Sequence, residues 1–169
     1  SISRALTENH VVKNVYGLDS NDKVIKKCLE LNLLIQGETN LANFNSQFDL
    51  IIICTPLSKY EKIFLDLASY ISTPTLVTDV GSTKMSTISD YNKIEINTNI
   101  IFIPSHPIAG IEKSGPEFGF IKLFSPSLFN ILFPASATAP PNLNDCVKNN
   151  LLPSISFIAF KEPLHLYIC

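Results

Sequence analysis

The unbroken apolar run Leu50-Ile51-Ile52-Ile53 constrains this chain more than any other stretch. Three of its residues are β-branched, which favours a strand over a helix. Because no polar residue interrupts it on either parity, the strand must be covered on both faces, as in a parallel sheet. Downstream, Tyr60, Ile63, Phe64, Leu67, Ala68 and Ile71 recur at i, i+3, i+4, i+7, i+8 and i+11, which predicts an amphipathic helix. Thr75 to Val80 then reads as a strand, Lys84 to Tyr91 as a helix and Ile100 to Ile103 as another strand. Upstream, Ser1 to Asn9 reads as the back part of a helix. Val15 to Leu18 is a strand ending in Asp19, and Asp22 to Leu31 is a helix with Ser20 as its N-cap. Strands alternating with helices at this spacing mean βαβ units, right-handed crossovers and a doubly wound parallel α/β sheet.

From about Phe124 the pattern changes. Pro126, Pro134, Pro140, Pro141, Pro153 and Pro163 interrupt the chain, and only Leu128 to Phe133 has strand character. Residues 124–169 are therefore expected to be an irregular tail. At the other end, a dinucleotide-binding fold needs a strand and G-x-G-x-x-G before its first helix. The chain begins within that helix, so strand and glycines are expected upstream of Ser1, leaving the sheet without its first strand.

A length of 169 residues suits one domain. The net charge of −2 and pI near 5.9, without a Lys/Arg cluster, speak against a nucleic-acid surface. No apolar run approaches the roughly 18–20 residues that span a bilayer, so no membrane partner is expected. Cys28, Cys54, Cys146 and Cys169 are scattered without C-x-x-C spacing, which predicts no metal site and a reduced, cytoplasmic setting.

Polar groups follow four separate predicted strands: Asp19, then Thr55-Pro56, then Ser82 and Lys84 in Asp79-Val80-Gly81-Ser82-Thr83-Lys84, then His106. In a parallel sheet all of them emerge at the carboxyl edge, where such folds keep their ligand crevice. Asp19 either caps the following helix or accepts the two ribose hydroxyls of a dinucleotide; the second role would favour NAD over NADP. Thr55-Pro56 is either a plain turn or part of the cofactor edge. Ser82 can cap the helix at Lys84 and still meet a ligand. His106 opens His106-Pro107-Ile108-Ala109-Gly110-Ile111-Glu112-Lys113-Ser114-Gly115, where a titratable imidazole precedes a loop carrying a carboxylate, an ammonium and a hydroxyl.

This segment, together with Asp79 to Lys84, resembles the prephenate dehydrogenase family, NAD(P)-dependent enzymes of tyrosine biosynthesis. Ser1-Ile2-Ser3-Arg4-Ala5-Leu6 is similar to the continuation of that family's G-x-G-L-I-G-x-S opening. The resemblance runs from Ser1 to about Phe124. It implies a partial Rossmann-like NAD(P)-binding domain over residues 1–123, with NAD as cofactor and prephenate as small-molecule substrate. By the same resemblance His106 accepts the proton of the substrate's ring hydroxyl while the ring carbon gives hydride to the nicotinamide and the ring carboxylate leaves as CO2. The product is 4-hydroxyphenylpyruvate. Ser82 would orient the hydroxyl or the histidine. Glu112, Lys113 and Ser114 match the loop around substrate and nicotinamide, and Asp19 matches the adenosine-ribose acid.

The family's helical domain, which dimerises and supplies cationic groups for the substrate's carboxylates, has no counterpart in residues 124–169. Leu123-Phe124 and Asn130 to Pro134 echo the family's L-F…I-L-T-P segment, beyond which the agreement ends. The chain by itself is thus expected to show little dehydrogenase activity. An arogenate dehydrogenase and a non-catalytic fragment of a broken gene are the alternative readings.

Overall fold

In the computed structural model, residues 2–94, 99–107, 111–113, 115–124 and 164–168 are described. Helix α1 (Ile2–Glu8) leads into β1 (Val12–Leu18), α2 (Asp22–Glu30) and β2 (Gln36–Glu38). Strand β3 (Leu50–Ile53), α3 (Tyr60–Tyr70), β4 (Thr75–Asp79), α4 (Lys84–Tyr91) and β5 (Ile100–Ile103) follow, and β6 (Leu164–Ile168) comes last in sequence. The six strands form one sheet in the order β2-β1-β6-β3-β4-β5, and every pairing is parallel. The sheet is Rossmann-like and doubly wound, as the alternation predicted.

Parity explains the layers. Ile51 and Ile53 point into the larger core with Tyr60, Phe64, Leu67 and Val77, while Ile52 joins Ile2, Ala5, Val12 and Val15 on the opposite face. Ile51 and Ile53 are fully buried and Ile52 is 2 % exposed, so the apolar run is covered on both sides. On the larger face an aromatic cluster seals α3 and α4 against β5. The Phe64 ring lies 4.9 Å from Phe102 and 5.5 Å from Tyr91, both edge-on, a favoured aromatic geometry.

The structure differs from the sequence reading in four places. Strand β1 begins at Val12, three residues earlier than expected. Strand β2 was not foreseen, because Gln36-Gly37-Glu38 is too short and polar to announce itself. Asn21, not Ser20, caps α2: its side chain accepts the Lys23 N–H at 3.0 Å.

The fourth difference is the largest. The place between β1 and β3, expected to stand open, is filled by β6, five residues from the stretch read as an irregular tail. Val15 pairs with Leu166 on one side of it and Leu50 with Leu166 on the other. The predicted strand Leu128–Phe133 lies outside the described residues.

Candidate active site

All pairings being parallel, the ends of β1, β3, β4 and β5 share one edge. Asp19, Thr55, Ser82 and His106 stand there as expected. The chain runs from β1 outward to β2, and from β3 outward through β4 to β5. The connections therefore diverge around β6, and the crevice of such a sheet opens at that switch point.

Asp19 is half-buried just past β1. Its Oδ1 accepts the Asn21 N–H at 2.8 Å, and its own N–H reaches the Glu38 carbonyl at 3.2 Å, which fixes the turn into α2. One carboxylate oxygen thus braces the approach to the helix. Capping itself falls to Asn21. Thr55 follows β3, and its Oγ1 is buried with no hydrogen-bond partner among the described residues. A buried hydroxyl left unpaired costs free energy, so its partner is expected to come from a ligand or water. Pro56 opens the short 3-10 turn Leu57–Lys59, accepting the Lys59 N–H at 2.9 Å.

Ser82 lies exposed in the loop from β4 to α4, and Thr83 rather than Ser82 holds the N-cap position. His106 follows β5 and is half-buried. Its Nδ1 lies 3.4 Å from the Val80 carbonyl. A carbonyl only accepts, so Nδ1 carries the proton in this contact and neutral His106 keeps its free lone pair on Nε2.

Between these two loops sits Asp79, which ends β4 and is completely buried. Its Oδ1 accepts the Ser105 N–H at 3.0 Å. Its Oδ2 accepts from the Gly81 N–H at 2.9 Å, the Tyr60 hydroxyl at 3.3 Å and the Lys84 ammonium at 2.5 Å. Lys84 also donates to the Ser105 carbonyl, and the Ser105 hydroxyl donates to the Asp79 carbonyl. Burial, aided by the Asp79 charge, pushes the Tyr60 phenol well above the ordinary tyrosine range, so it remains a donor. A side chain at position 81 would crowd this carboxylate: an added Cβ would lie 2.6 Å from Leu57 Cδ2 and 2.9 Å from Asp79 Oδ2, so both would have to shift.

Glu112 and Lys113 are exposed, with the Lys113 Nζ 5.2 Å from the centre of the Phe118 ring. Ser114 lies outside the described residues. Gly115, at φ 120°, occupies backbone space that other residues rarely adopt, and it turns the chain into Pro116–Phe118. Arg4 Nη2 donates to the Pro116 carbonyl at 3.4 Å, tying this segment to α1. No described contact joins Glu112 or Lys113 to His106.

Sequence reasoning did not single out Asp79, Ser105 or Tyr60. Asp79 and Lys84 were visible as an acid ending an apolar strand with a lysine five residues on. Tyr60 read only as part of an apolar helix stripe, and nothing local marks Ser105.

Residues 2–154 match the family model described as prephenate dehydrogenase, nucleotide-binding domain. The chain is 32 % identical to prephenate dehydrogenase of Bacillus subtilis over 139 residues, covering 82 % of this chain and 37 % of the relative. It is 29 % identical to cyclohexadienyl dehydrogenase of Zymomonas mobilis over 106 residues, covering 63 % and 36 %. Among solved structures, prephenate dehydrogenase from Aquifex aeolicus superposes with a TM-score of 0.67 at 30 % identity, covering 73 % of this chain and 44 % of that one. A second structure of the A. aeolicus enzyme, in complex with hydroxyphenyl propionate and NAD+, superposes with a TM-score of 0.60 at 28 % identity. It covers 72 % and 42 %. The chain thus spans less than half the length of each of these relatives.

Proposed function

Because the chain belongs to the family of prephenate dehydrogenase nucleotide-binding domains, we propose that it forms the NAD-binding part of a cytoplasmic oxidoreductase that converts prephenate to 4-hydroxyphenylpyruvate in tyrosine biosynthesis. The observation that carries this reading is the setting of His106. It sits at the carboxyl edge of a parallel sheet, with Nδ1 against the Val80 carbonyl and the lone pair left on Nε2. An imidazole with a free lone pair facing the ligand crevice suits a general base.

The residues fit a dinucleotide at the switch point. Thr55 Oγ1 is a buried hydroxyl without a partner among the described residues, and Asp19 offers a carboxylate at the end of β1. NAD, when bound, supplies the hydride acceptor. His106 Nε2 takes the proton from the substrate's ring hydroxyl, and Ser82 orients that hydroxyl or the imidazole. Glu112, Lys113 and Ser114 line the approach for substrate and nicotinamide. Cationic groups for the substrate's carboxylates, and the dimer contacts of the family, come from a helical domain outside residues 1–123.

Calorimetric titration of the chain with NAD+ and NADP+ tests the first half of the reading. With a glycine-rich phosphate loop joined ahead of Ser1, saturable binding that prefers NAD+ is expected, and no binding of either would then remove the nucleotide role. Prephenate-dependent NADH formation tests the second half. Turnover is expected only when the glycine loop and the helical domain are supplied in the same polypeptide. Similarity to a relative named for the cyclohexadienyl ring makes arogenate the second substrate to try in that assay.

A further inference from the structure

Asp79 and Lys84 adjoin both candidate catalytic loops without belonging to either reacting group. The carboxylate holds the N–H of Gly81, the residue before Ser82, and the N–H of Ser105, the residue before His106. Lys84 closes the arrangement by bonding to Asp79 and to the Ser105 carbonyl. Ser105 is thereby held at its N–H, carbonyl and hydroxyl at once. Asp79 is 0 % exposed and the Lys84 side chain 16 % exposed, so solvent screens the pair weakly.

Stability alone is a poor account of such a pair. Two charges withdrawn from water recover little more than their desolvation cost, and apolar residues of similar volume would often serve as well. What the pair provides that apolar packing would not is direction. One carboxylate with two oxygens fixes two backbone amides from different strand exits, 26 residues apart along the chain for the Asp79–Ser105 bond.

We propose that Asp79 and Lys84 are a positioning pair. They lock the Val80-Gly81-Ser82 turn against the Ser105-His106 segment, so that the Val80 carbonyl holds the His106 Nδ1 proton and Nε2 stays available as base. The proposal rests on the reading of His106 as the proton acceptor. Neither residue touches the substrate in this scheme; both act through backbone.

The imidazole tautomer of His106 is the measurement. The chain has three histidines, His10, His106 and His165, so 15N-histidine spectra of the full chain can be assigned with His106→Gln. In the alkaline plateau, where the histidine 15N shifts no longer change with pH, His106 in the unaltered chain is expected as the Nδ1-protonated tautomer. In Lys84→Met the two nitrogen shifts should converge towards a tautomer mixture, while Lys84→Arg, which keeps the cation, should retain the original pattern. A folded Lys84→Met chain with an unchanged His106 spectrum would overturn the proposal. Should Lys84→Met fail to fold, Lys84→Gln is read instead, and loss of fold in both would assign the pair to structure alone. The readout is independent of turnover. A protein whose His106 tautomer depends on Lys84 but which never oxidises prephenate would refute the reaction and leave the positioning intact.

Discussion

Ile51 and Tyr167 are register partners: the middle of the most apolar strand lies beside a strand that comes 116 residues later, and that strand pairs again through Tyr167 with Tyr16. The sheet between β1 and β3 is therefore continuous only through β6.

That relationship predicts an outsized effect of backbone changes in β6. Proline in the interior of a strand paired on both sides removes a ladder bond and is all but excluded from such positions. Leu166→Pro removes its N–H from the ladder and leaves a carbonyl unpaired inside the sheet, which is expected to cost about 1–3 kcal/mol, read as a fall in the urea midpoint or loss of the cooperative transition. A midpoint near that of the unaltered chain would mean β1 and β3 hold together without β6.

His106→Asn, placed in a polypeptide that also carries the glycine loop and the helical domain, is expected to lower kcat by roughly 10²–10⁴-fold, the range for loss of a positioned general base. NAD+ affinity should hardly move, because the imidazole acts on substrate. Near-normal kcat would exclude His106 from the proton transfer.

Asp19→Ser bears on cofactor choice. The Asx turn with Asn21 can be kept by the serine hydroxyl, while the second oxygen and the charge are lost. NAD+ binding should weaken by about tenfold, equivalent to about 1.4 kcal/mol, and discrimination against NADP+ should shrink. An unaltered NAD+/NADP+ ratio in titrations would take Asp19 out of the ribose site.

Tyr60 gives stability a pH dependence on the alkaline side. Its folded pKa lies above the unfolded value of about 10, mainly through burial and then through the Asp79 charge. Above that value the unfolded chain releases the phenol proton while the folded chain retains it, so the stabilising contribution, full below about pH 10, falls as pH rises. Urea midpoints of the unaltered chain should drop more steeply from pH 9 to 11 than those of Tyr60→Phe. Parallel slopes would show that Tyr60 ionises equally in both states.

Much of the fold was legible because its signals are local. The run Leu50–Ile53 and the stripe from Tyr60 to Ile71 each state their own burial, and the helices and strands they imply appear within a few residues of expectation. The candidate site was legible at the level of the edge: four polar groups following four strands must emerge together when those strands are parallel. Its internal wiring was not. Asp79 reads as one more acid at a strand end, and its partners Tyr60 and Ser105 lie 19 and 26 residues away, beyond any periodicity.

The sequence by itself determined the parallel α/β class, the positions of β3, α3, β4, α4 and β5, and the set of polar residues at the carboxyl edge. These follow from apolar spacing and chain direction, which are properties of neighbouring residues. Tertiary structure alone decided that Leu164–Ile168 occupies the middle of the sheet, and that Asp79 is a buried hub held by Lys84 rather than a surface acid. Both depend on pairing between segments far apart in the chain. A strand's partner is set by which edge stands open, and a carboxylate's burial by which donors the fold brings to it, and neither is written in the residues beside them.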